Sequence, residues 1–189
     1  FAFKEPNVLY SALSAFSRVL YGAGSIDRSS ADSVVLQRYK SQVVQCLDHR
    51  DASIRRRALD VVAALVDSTN VETLIPEVMG YLHMADSDFR SELVAKVFHS
   101  VQRFAPNPKW NFETVMKLII ESGNYVGSEV ITSFCKLIGT NEEIRQYAVK
   151  QLSGALASNC ENQPFVQVTA WTIGEFGDSL DEWETLEKI

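Results

Sequence analysis

The sequence predicts an all-α protein, a right-handed α-α superhelix of the HEAT/armadillo type with about nine helices in antiparallel pairs. Three observations lead there. Five times along the 189 residues a polar turn is followed by an apolar residue and, four positions later, by a small or aliphatic one: Val8 with Ala12, Ile54 with Ala58, Phe89 with Leu93, Val126 with Val130, and Phe165 with Thr169. The steps between these openings are 46, 35, 37 and 39 residues, a period near 40 that marks stacked two-helix repeats. No stretch of apolar/polar alternation is long enough to build a sheet. Such a repeat cannot bury its apolar face alone, so residues 1–189 are expected to form a single continuous array, built to hold other molecules.

The first helix is predicted from Pro6, whose missing amide hydrogen costs little in a first turn, to Tyr21, with Leu9, Ala12, Leu13, Phe16 and Leu20 on one face. The segment Tyr21 to Ser33, crowded with glycine and serine, reads as a long loop. A helix from Asp32 to Leu47 follows, striped with Val35, Leu36, Tyr39, Val43, Val44 and Leu47, before a turn at Asp48 to Asp51. Asp51 is placed to cap the next helix, whose buried face is Ile54, Ala58, Val61, Val62, Leu65 and Val66. After Asn70 a helix is expected from Val71 to Met84, with Pro76 bending or restarting its first turn. Asp86, Ser87 and Asp88 cap the helix carrying Phe89, Leu93, Val97, Val101 and Phe104, which Ala105-Pro106-Asn107-Pro108 ends. The remaining helices are predicted at Phe112 to Glu121, Tyr125 to Ile138, Glu142 to Leu156, with Asn141 as its cap, and Pro164 to Phe176.

The composition, 46% hydrophobic and 22% charged, is that of a folding globular chain. A net charge of −6 argues against a nucleic-acid binder, since phosphate contacts need an excess of lysine and arginine. The one basic cluster, Arg50, Arg55, Arg56 and Arg57 with Arg38 and Lys40 upstream, reads as a solvated helix face; successive residues point about 100° apart, so Arg55 to Arg57 cannot make one tight site. Cys46, Cys135 and Cys160 are odd in number and far apart, which suggests neither a disulfide framework nor a zinc site and fits a reducing compartment. The N-terminus lacks the plan of a secretory signal, and no apolar run approaches the ~18 residues of a membrane helix, so any membrane contact is expected to be peripheral. The chain starts almost on a helix and stops without a polar capping repeat, the pattern expected of a fragment of a longer protein.

An enzyme needs converging titratable groups, and few are offered. His49, His83 and His99 stand apart, and the pairs Asp86 with Asp88 and Glu142 with Glu143 sit at helix starts, where carboxylates are favoured anyway. Gly22-Ala23-Gly24 lacks the Lys-Ser/Thr and the preceding strand of a phosphate loop. Cys46 and Cys135 read as small core hydrophobes, and Cys160 as a loop thiol with nothing nearby to activate it. Trp110, Phe112 and Trp171 read as core between repeats. No catalytic, cofactor-binding or metal-binding residue is assigned, no cofactor is expected, and no ligand-binding residue can be named.

Four blocks carry a resemblance: Leu36-Gln37-Arg38; Cys46-Leu47-Asp48 leading into Ser53-Ile54-Arg55-Arg56-Arg57-Ala58; Phe104-Ala105-Pro106 with Trp110 beyond; and the run from Gln163 to Asp178, with Gln163-Pro164 before the helix and Trp171-Thr172-Ile173-Gly174-Glu175-Phe176-Gly177 within it. Over Asn7 to Asp178 the chain resembles the trunk of an adaptin large chain, most of all gamma-adaptin, while Cys46-Leu47-Asp48-His49 and Tyr81-Leu82-His83 are similar to the epsilon chain. The longer Tyr21 to Ser33 segment and the stretch from Ser179 to Ile189 depart from the family pattern. The resemblance implies a middle-to-late segment of the N-terminal trunk of a structural, non-catalytic subunit in a heterotetrameric clathrin adaptor. The complex would join it to a second large chain, a medium chain and a small chain. It would work in vesicle-mediated transport at trans-Golgi network and endosome membranes, with an Arf-family GTPase, phosphoinositide, clathrin and cargo engaged through the complete complex. Epsilon- or alpha-type adaptins, and an unrelated HEAT-repeat scaffold or transport receptor, are the alternatives.

Overall fold

The computed structural model describes residues 5–22 and 39–177, and within them every regular element is helical. The elements are α1 (Pro6–Gly22), α2 (residues 39–45), α3 (Ala52–Leu65), α4 (Val71–Met79), α5 (Ser87–Phe104), α6 (Pro108–Ser122), α7 (Ser128–Thr140), α8 (Glu142–Leu156) and α9 (Gln163–Phe176), with 3-10 turns at Cys46–Asp48 and Gly123–Tyr125. The upstream part of the helix expected from Asp32, and most of the Tyr21 to Ser33 loop, lie outside the described residues. The chain divides into two compact units, Phe1–Ser100 and Val101–Ile189.

In the first unit α1 packs on α3, and α3 on the 3-10 turn after α2. Leu9 and Leu13 of α1 are buried, as are Val43, Val44 and Leu47. All six residues expected on the inner face of α3 are buried, and Asp51 caps it by accepting a hydrogen bond from Ser53 N at 2.8 Å. Asp86 caps α5 in the same manner through Phe89 N at 2.9 Å. The opening pair expected in α1 is displaced by one position: Val8 is 38% exposed and Ala12 half-buried, while Leu9 and Leu13 turn inward. The other four opening pairs are buried throughout.

Two boundaries in this region differ from expectation. The helix at Val71 ends at Met79 rather than Met84, because Tyr81 N, Leu82 N and Met84 N bond carbonyls only three residues back, tightening the chain into turns that still bury Leu82. Pro76 lies inside α4 with its ring exposed and neither breaks nor restarts it. Pro108 does not merely end α5: it is the first residue of α6, which begins four residues before the expected Phe112 under a cap from Asn107 Oδ1 to Trp110 N at 2.8 Å.

In the second unit α6, α7, α8 and α9 pack on one another around Phe112, Phe134 and Phe165. Phe112 stacks on Phe134 with ring centroids 5.2 Å apart and meets Tyr147 edge-on at 5.8 Å. Gly123 ends α6 at φ 58°, a left-handed value that suits glycine. Helix α7 starts at Ser128, not Tyr125, since residues 123–125 are spent on the 3-10 turn. Asn141 does not cap α8: its Nδ2 donates backwards to Leu137 O at 2.8 Å, so it closes α7 instead. The cap of α9 is Asn162, whose Oδ1 accepts from Phe165 N at 3.1 Å while its Nδ2 donates to Ile119 O of α6 at 2.8 Å.

Candidate functional site

The basic cluster becomes a ladder of separate ion pairs along α3. Arg55 pairs with Asp86, Arg56 with Glu92 at 3.2 Å, and Arg57 with Asp60 at 3.5 Å, while Lys96 reaches the other oxygen of Asp60 at 3.1 Å. Helical geometry explains the arrangement: consecutive arginines fan around the axis, so each finds its own carboxylate. Arg55 also donates to the carbonyls of His49 and Arg50 and stands 5.3 Å from the Phe89 ring centre, closing the turn before α3 onto the start of α5. Of the rest of the cluster, Arg50 is exposed, Lys40 half-buried, and Arg38 lies outside the described residues.

Arg57 reaches across to α1. Its guanidinium donates to the Tyr10 hydroxyl at 3.2 Å and lies 5.5 Å from the Tyr10 ring centre. That hydrogen bond, and then the cation's charge, hold the Tyr10 phenol below its ordinary pKa. In the second unit the opposite arrangement occurs: the Tyr147 hydroxyl donates to Glu113 Oε1 at 2.7 Å, which pushes its pKa up, and Lys109 Nζ sits 4.8 Å from the same ring.

The other singled-out residues stay apart. His49 Nδ1 accepts from Asp51 N at 3.0 Å and so serves the turn, while His83 and His99 are exposed. Cys46 is buried and Cys135 half-buried, and burial raises both thiols above the ordinary range; Cys160 is exposed. Asp86 and Asp51 act as caps, and Glu142 bonds Arg145. Phe112 is core and Trp110 half-buried, but Trp171 is 38% exposed rather than core: it meets Phe176 edge-on at 5.7 Å between ring centres, with its ring edge beside Gly139 of α7. Among the described residues no group of three or more metal-ligating side chains converges, and no helix is long and apolar enough to cross a membrane. What the sequence did not single out is the junction of α1 with Arg57; serines at Ser11, Ser14 and Ser17 were its only trace.

Comparison with known proteins gives these features a setting. The sequence pattern of the adaptin N terminal region matches residues 3–189. The chain is similar to an AP-1 complex subunit gamma of Dictyostelium discoideum, 37% identical over 94% of this chain and 19% of that protein. It is 35% identical to a mouse AP-1 complex subunit gamma-like 2, over 94% of this chain and 21% of that protein. An AP-2 complex subunit alpha-2 of Dictyostelium discoideum is 30% identical over 92% of this chain and 17% of that protein. The chain thus spans about a fifth of the length of the curated relatives it matches.

Proposed function

We propose a function from one premise: the chain belongs to the adaptin N terminal region family. It acts as a non-catalytic scaffold segment of a large chain in a gamma-type AP-1 clathrin adaptor complex, holding a second large chain, a medium chain and a small chain in register. The observation that carries this reading is the comparison within Dictyostelium discoideum, where the gamma subunit is 37% identical to this chain and the alpha-2 subunit 30%. The gamma-like block from Gln163 to Asp178 adds to it, its residues Gln163–Phe176 forming α9. The same resemblance supports the finer reading: a middle-to-late trunk position within one continuous repeat array, recruitment to trans-Golgi network and endosome membranes with an Arf-family GTPase, and linkage of cargo to clathrin.

The mechanism is mechanical. In a repeat array each unit leans on its neighbours, so small rotations at successive contacts can add up to opening or closing of the assembly. Affinity purification of the full-length protein from its own cells tests the reading. A second large chain, a medium chain and a small chain of the adaptor type should co-purify in amounts equal to the bait. Their absence under mild extraction would reject the assembly role.

A further inference from the structure

The junction of α1 and α3 in the first unit holds an open groove of about 510 Å³. Its walls include Tyr10, Ser11, Ser14, Ser17, Arg18 and Arg57, with Ala15 between them: two cations, four hydroxyls and no carboxylate. In a chain of net charge −6 such a wall is an exception. Helix spacing produces it, because Tyr10, Ser14, Ser17 and Ser11, Ala15, Arg18 fall at three- and four-residue steps on adjoining rows of α1.

We propose that this groove binds an extended acidic segment of a partner protein. The cations suit it. Arg57 is fixed in place by Tyr10 on one side and Asp60 on the other. Asp60, the carboxylate that reaches Arg57, is shared with Lys96, which offsets its charge. Arg18 is exposed and makes no ion pair among the described residues, so its planar fork of donors is open to a carboxylate. The exposed Ser11 hydroxyl supplies a neutral donor on the same wall. Length argues for a peptide over a single ion: from Tyr10 to Arg18 the wall runs about 12 Å along the helix, enough for three or four extended residues at ~3.3 Å each. The inference does not depend on the assembly role proposed above.

Fluorescence anisotropy with a labelled hexaglutamate peptide and the purified chain tests it. Saturable binding is expected, weakened about tenfold by Arg18→Glu and changed less than about twofold by Lys150→Glu, a charge reversal of the same size on α8. The Arg18 side chain makes no hydrogen bond or ion pair among the described residues, so its variant should melt with the parent, and circular dichroism checks that. Four results would overturn the proposal: no saturable binding, as when the chain's own residues cover the groove; equal loss in both variants, meaning diffuse charge attraction; equal binding of hexaglutamine; or binding of inositol hexakisphosphate in place of the peptide, meaning a phosphate site.

Discussion

Tyr10 and Tyr147 show how one hydrogen bond sets the sign of a titration. Tyr10 accepts from a guanidinium, which favours its phenolate and lowers its pKa; Tyr147 donates to a carboxylate, which favours its neutral phenol and raises its pKa. The linkage follows. The Tyr147 bond stabilises the fold fully below the ordinary tyrosine value near 10 and is lost as pH climbs through the raised folded value. Ionisation of Tyr10 adds its full stability above that ordinary value, and the addition disappears as pH falls through its lowered one. In an ultraviolet phenolate titration, Tyr10→Phe should remove signal from the early part of the curve and Tyr147→Phe from the late part. Loss from the same region in both variants would contradict the bonding described. Neither partner could be read from sequence, because Tyr10 with Arg57 and Glu113 with Tyr147 are joined only by folding.

At the scale of elements, caps decide where helices start, and the chain's asparagines divide by what lies around them. Asn162 has two roles, capping α9 and tying it to Ile119 O of α6, whereas Asn141 bonds only its own neighbourhood at the end of α7. Asn162→Ala should therefore cost about 2 kcal/mol, the sum of a lost cap and a lost hydrogen bond to Ile119 O, a carbonyl that Gly123 N also reaches, and Asn141→Ala about 1 kcal/mol or less. Thermal or urea melts of the two variants compare them, and equal costs would remove the second role of Asn162. The capping aspartates Asp51 and Asp86 were legible because polar turns preceded clear apolar stripes. The start of α6 was not, since Pro108 serves a stop and a start equally well in sequence.

For the whole molecule, the period near 40 implies that stability passes between neighbouring elements rather than across the entire chain. Ala58 is fully buried on α3, the helix that packs on α1, so Ala58→Arg adds volume and an unpaired charge to that core and should cost about 3–5 kcal/mol. Hydrogen exchange should then show protection lost in α1 and α3 while α8 and α9 keep theirs. Uniform loss along the chain, or an unchanged melt, would count against this. The sequence by itself determined the helical class, four of the five buried openings, the caps at Asp51 and Asp86 and the family, because these rest on residues close together along the chain. Tertiary structure alone decided that Val8 stays exposed and Ala12 half-buried beside the buried Leu9 and Leu13, that Trp171 is only partly covered, that each arginine of α3 has its own carboxylate, and that α1 and Arg57 line a cationic groove. Each of those depends on which face a neighbouring helix covers, and sequence spacing alone leaves that undecided by about one helical position.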